Sequence, residues 1–184
     1  FLSRVPMGKT IIASDRQWSR SVYFYPLVGA VLGALLVLLA SMLSSVPSFL
    51  AAVLILTVWV AFTGALHIDG LADCSDGWVG GQGSRQKTLA IMKDPAAGPI
   101  AVVVIVLLLL FKLAAIVVLL ESVNRFALLI IPMLARTNLL AAFLYAPYAN
   151  PVGIGAKVSL YLSSKLALFF LLIVAAMTFI ILPV

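Results

Sequence analysis

The sequence predicts an all-α, polytopic helical membrane protein with about five transmembrane helices, and three observations carry that prediction. Of its 184 residues, 64% are hydrophobic and only 10% charged, where soluble globular domains have about a quarter of their residues charged. Mean hydropathy is +1.23. The apolar runs are about 20 residues long, enough to cross the hydrocarbon core as helices and unlike the alternating segments of about 10 residues in an outer-membrane barrel. Finally, polar chemistry is concentrated between positions 64 and 99, which hold four of the six acidic residues (Asp69, Asp73, Asp76 and Asp94), the single histidine His67 and the single cysteine Cys74. One cysteine permits no internal disulfide.

In chain order, residues 1–22 form a basic lead-in, with Arg4, Lys9, Arg16 and Arg20 against Asp15. No signal peptide is expected, because the first apolar run is too long for a signal core and lacks a cleavage site. With a non-methionine start and an apolar end, the chain is expected to be trimmed or disordered at both ends. Span 1 covers 23–43, with Gly29 and Gly33 at the small-xxx-small spacing that permits close helix packing. Span 2 covers 49–66 and leads into the acidic stretch. Spans 3, 4 and 5 cover 99–120, 126–146 and 165–182. A loop at 145–155 carries two prolines and two glycines and lies on the same side as the aspartates. With no repeat and no break in composition, one transmembrane domain covers 1–184, with its motif region at 64–99.

Orientation follows from the basic residues. With the N-terminus inside, the inner segments hold nine of them (Arg4, Lys9, Arg16, Arg20, Arg85, Lys87, Lys93, Lys157 and Lys165), and the outer turns hold only Arg125. This is the positive-inside bias. It accounts for the net charge of +6 without nucleic acid and places the acidic stretch at the cytoplasmic face. Lys112 and Arg136 fall within spans, where a charge is costly and points into the bundle. For Lys112 the structural reading is the stronger. Arg136 divides between a substrate phosphate contact and a partner for a buried carboxylate.

Successive helical residues advance by about 100°, so Asp69, Asp73 and Asp76 lie within about 60° of one another on one helix face. Three such carboxylates repel one another unless protons or cations neutralise them. Oxygen ligands suit a hard cation. Mg2+ takes one or two carboxylates and completes its shell with substrate phosphates and water, whereas zinc and iron sites draw on several histidines or cysteines. His67 points away from the aspartate face and is either structural or substrate-binding. Gly77 is expected to end this helix, and the neighbouring glycines to let backbone approach a ligand. Ser84 then caps a short basic helix to Met92 or Lys93, which ends at Asp94-Pro95 and returns Lys93 and Asp94 toward the other aspartates. A cation flanked by lysine and arginine is equipment for phosphoryl-type transfer.

The run GALHIDGLADCSDGWVGG, followed by RQKTLAIMKDPAAGPIAVV, resembles the signature of the cobalamin synthase family (adenosylcobinamide-GDP ribazoletransferase). Its pattern H-x-D-G-x-A-D-x-x-D-G with a later I-M-K/R-D is met by His67, Asp69, Gly70, Ala72, Asp73, Asp76, Gly77, Ile91, Met92, Lys93 and Asp94. FLSRVPMG, SVYFYPLVGAVLGALL and AR…YAPYANPVGIGA extend the similarity over nearly the whole chain. The resemblance implies Mg2+-dependent transfer of adenosylcobinamide-phosphate from adenosylcobinamide-GDP to α-ribazole or its 5′-phosphate, with release of GMP, by a protein of the prokaryotic inner membrane. It implies that Asp69, Asp73, Asp76 and Asp94 hold the metal, the first three being catalytic, and that Arg4, Lys93, Arg136 and His67 bind substrate. It also implies a G-G-x-T-G-D segment and at least one further span, which this sequence does not contain. A homo-oligomer is compatible with the sequence, which does not give the oligomeric state.

Two rival readings remain. A CDP-alcohol phosphotransferase would share D-x-x-D-G at Asp73 to Gly77, but no Ala-Arg follows at the right spacing and Asp94 lacks an acidic partner four residues on. A divalent-cation transporter would carry acids in mid-span, where this chain has none.

Overall fold

The computed structural model describes residues 15–122, 125–146 and 162–181. All regular structure among them is helical: α1 (Asp15–Ser21), a 3-10 turn (Val22–Phe24), α2 (Tyr25–Met42), α3 (Ser48–Thr63), α4 (Leu66–Gly81), α5 (Arg85–Ile91), α6 (Pro99–Glu121), α7 (Ala127–Tyr145) and α8 (Ser164–Ile181). Three helices are long and apolar enough to cross a membrane alone, Ser19–Met42, Pro99–Glu121 and Ala127–Tyr145. The helices α3 and α4 pass the same test only as a pair, bent by 83°. The last, α8, is a further apolar helix of 18 residues. This is a multi-pass helical membrane protein. The residues fall into two compact units, one within Val46–Glu121 and one drawn from Val5–Ser45 and Ser122–Val184.

In the first unit the expected span 49–66 is cut short. The helix α3 stops at Thr63 because Gly64 and Ala65 both adopt left-handed backbone, at φ 62° and 58°. The Gly64 amide donates to the Ala61 carbonyl (3.1 Å) and the Ala65 amide to the Val60 carbonyl (3.2 Å), a Schellman closure that satisfies the last carbonyls of the helix. The Ala65 carbonyl then accepts from Ile68 and Asp69 at 2.9 and 3.0 Å, so a second helix starts at once in a new direction. The helices α3 and α6 pack together. Ser48 Oγ donates to Glu121 Oε1 at 2.7 Å, and further along the pair Lys112 Nζ lies 4.7 Å from the Trp59 ring centroid. An aromatic face stabilises an ammonium held out of water, which matches the structural reading of Lys112. Elsewhere α6 exposes Val102, Val103, Val106, Leu107, Leu110 and Phe111, a face suited to lipid.

In the second unit α2 packs on α7, and the small-residue spacing explains how. A Cβ on Gly29 would lie 2.5 Å from the Pro132 carbonyl oxygen, and one on Gly33 would strike the backbone of Leu129. Backbone therefore meets backbone at this crossing, as glycine pairs allow. Ile130 and Met133 of α7 form a buried cluster with Val174 of α8. Tyr23 fastens the start of α8: its hydroxyl accepts from the Ser163 amide (2.7 Å) and donates to the Ser163 carbonyl (3.3 Å), while its ring stacks on Phe170 at 5.7 Å. Arg136 is 3% exposed on α7, with the Tyr25 phenol as an electrostatic neighbour.

Candidate active site

The aspartates ride on α4, which runs unbroken from Leu66 to Gly81. The expected stop at Gly77 does not occur. Gly77, Gly80 and Gly81 instead form a flat strip on which α5 lies: an added Cβ would come 2.8 Å from Met92 Cγ at Gly77 and 2.7 Å from Ile91 Cδ1 at Gly80, and would run into Thr88 at Gly81. These glycines serve helix packing, and the GWVGG spacing already carried that signal. The expected cap on α5 is present, with the Lys87 amide donating to Ser84 Oγ at 3.4 Å.

With α4 helical throughout, Asp69, Asp73 and Asp76 keep the spacing that puts them on one face, but their surroundings differ. Asp69 is exposed, while Asp73 and Asp76 are half-buried. Asp76 reaches furthest into the fold. Its Oδ2 accepts from the Gly98 amide at 2.5 Å and its Oδ1 from the Ala101 amide at 3.0 Å. These belong to the N-terminus of α6, where the first amides have no intrahelical acceptor and a negative charge is favoured. Asp94 closes its own turn, with Oδ1 accepting from the Ala96 amide at 3.0 Å.

Asp76 and Asp94 thereby line one cleft of about 330 Å3, together with Gly80, Ile91, Ala96 and Gly98. The expected return of Asp94 toward the α4 aspartates is met at Asp76. Lys93 is exposed beside Asp94, and His67 is exposed in the first turn of α4. Arg136 belongs to the second unit. Arg4 and most of the 145–155 loop lie outside the described residues. Among the described residues no three carboxylate, imidazole or thiol groups gather as a group able to hold a metal ion. The donors lining the cleft are hard oxygens, which suits a Mg2+ ion that takes one or two carboxylates and completes its shell with phosphate and water.

Sequence reasoning missed two things: the bond from Asp76 to α6, and the reason for Gly98. A Cβ there would fall 2.8–2.9 Å from the Asp76 carboxylate atoms, so Gly98 is needed for space. The partners are 22 residues apart, beyond any local signal.

The family model described as cobalamin-5-phosphate synthase matches residues 1–184. The chain belongs to this family. Similar proteins named adenosylcobinamide-GDP ribazoletransferase include one from Pseudomonas aeruginosa UCBPP-PA14, 47% identical over 165 residues (90% of this chain, 67% of the relative). Another, from Pseudomonas fluorescens Pf-5, is 48% identical over 155 residues (84% and 64%). A third, from Stutzerimonas stutzeri A1501, is 47% identical over 174 residues (95% and 71%). The chain spans about two thirds of the length of the curated relatives it matches. No solved structure matches it.

Proposed function

We propose that this synthase-family chain transfers adenosylcobinamide-phosphate from adenosylcobinamide-GDP to α-ribazole or α-ribazole 5′-phosphate, releasing GMP. The observation that carries this reading is the junction of α4 with the start of α6, where Asp76 and Asp94 line one cleft beside the basic helix α5. The relatives' shared name supports the choice of substrates. In the transfer a ribose hydroxyl oxygen bonds to the phosphorus on the corrinoid side, the pyrophosphate P–O bond breaks, GMP leaves with the electron pair, and the hydroxyl proton passes to an acceptor. Asp69 and Asp73, on the aspartate face of α4, are candidate acceptors, together with Asp76.

Asp69, Asp73, Asp76 and Asp94 would hold Mg2+, which when bound neutralises phosphate charge and stabilises the leaving oxygen. Lys93, Arg136, Arg4 and His67 are the proposed substrate contacts. The nine-to-one distribution of basic residues favours a site facing the cytoplasm of an inner membrane. The transporter reading expects acids in mid-span; α2, α3, α7 and α8 carry none and α6 only the terminal Glu121, while the aspartates of α4 follow the 83° bend that separates them from α3.

The test uses the full-length protein in lipid with adenosylcobinamide-GDP, α-ribazole and Mg2+. GMP should appear, chelation should stop it, and Asp73→Asn should lower the rate at least about a hundredfold, the scale expected for losing a group that stabilises transition-state charge. An Asp73→Asn protein that keeps the full rate removes Asp73 from the site.

A further inference from the structure

The segment Asp94–Gly98 crosses from the end of α5 to the start of α6 and is held by a carboxylate at each end. Asp94 binds the Ala96 amide from within the segment, and Asp76 binds the Gly98 and Ala101 amides from α4. The second attachment engages both Asp76 oxygens, one amide each, which fixes the plane of the carboxylate. Each oxygen keeps a further lone pair. Gly98 is the residue that lets α4 come this close.

We infer that Asp76, beyond its proposed place in the metal site, has a positioning role, clamping the Asp94–Gly98 strap to α4 so that Asp94 is presented across the cleft, and that Gly98 is required because a Cβ there would fall on the Asp76 carboxylate. This rests on the proposed function for what the cleft does, but the clamp itself is independent of it. It also separates two roles a single aspartate substitution would confuse, because Gly98→Ala leaves all four aspartates in place and alters only how Asp76 is held.

Two measurements test the clamp on the full-length protein in nanodiscs. The first is hydrogen exchange at the Gly98 and Ala101 amides, which lie before and within the first turn of α6 and have no helical acceptor. Wild-type protein should protect both, and Asp76→Asn and Gly98→Ala should each speed their exchange while amides in the middle of α6 stay protected. The second is GMP release against Mg2+ concentration. Gly98→Ala should lower kcat at least about tenfold, as misplacing a positioned group does, and should raise the Mg2+ needed for half-maximal rate. The double variant should be no slower than the slower single one, since both changes break the same contact. Wild-type exchange and rate in Gly98→Ala, or multiplying losses in the double variant, would overturn the inference. If wild-type protein releases no GMP, the functional reading fails and the exchange data alone decide the clamp. If Gly98→Ala does not fold, Asp76→Asn supplies the exchange comparison, and unchanged exchange there refutes the clamp.

Discussion

Ala65 holds φ 58° directly after Gly64 at 62°, and for a residue with a Cβ that conformation costs about 1–2 kcal/mol. Replacing it with glycine should therefore raise stability by up to about 1 kcal/mol, the strain relieved exceeding the added freedom of the unfolded chain. Thermal unfolding in detergent measures this, and an unchanged or lower Tm in Ala65→Gly shows that the turn is not strained. Among the aspartates, the motif spacing was enough to put three on one face. It could not rank them, because the ranking comes from contacts made by residues far along the chain. Asp76 is set apart by its bonds to the Gly98 and Ala101 amides at the start of α6. That is a tertiary fact with no trace in the local pattern.

At the scale of elements, the apolar runs and breakers located nearly every helix to within a few residues. The start of α5 was legible from Ser84 and the close packing of α2 from Gly29 and Gly33, though not that its partner is α7. The misreadings have one cause. At Gly77 the glycine lets another helix approach instead of ending α4, and the helix stop falls at Gly64, inside a continuous apolar run. What separates them is backbone: Gly64 takes φ 62°, whereas Gly77 stays helical with Met92 against it. The close crossing of α2 and α7 gives a direct test. Gly29→Leu should cost about 1–3 kcal/mol or more, because its side chain meets backbone that cannot rotate away, whereas substitution of the lipid-facing Leu110 by alanine should cost far less. Equal losses of thermal stability in the two variants would show that the crossing is looser than the structure indicates.

For the whole molecule, the proposed orientation rests on the positive-inside bias of the basic residues. Labelling tests it. With Cys74 replaced by serine, a cysteine at Arg125 should react with a membrane-impermeant maleimide from outside intact cells, and a cysteine at Arg85 only after the membrane is opened. The reverse pattern would invert the topology and move the acidic cleft to the other side. The choice of phosphate compound in the proposed function rests on the name its relatives carry, because carboxylates, a basic helix and a cleft would serve pyrophosphate cleavage in many substrates.

The Tyr23 hydroxyl holds both backbone groups of Ser163 across a separation of 140 residues. Ribosomes add about 5–20 residues per second, so Tyr23 is made on the order of ten seconds before its partner. This polar lock therefore cannot close until both α2 and α7 have been made, which makes it a late contact of the second unit.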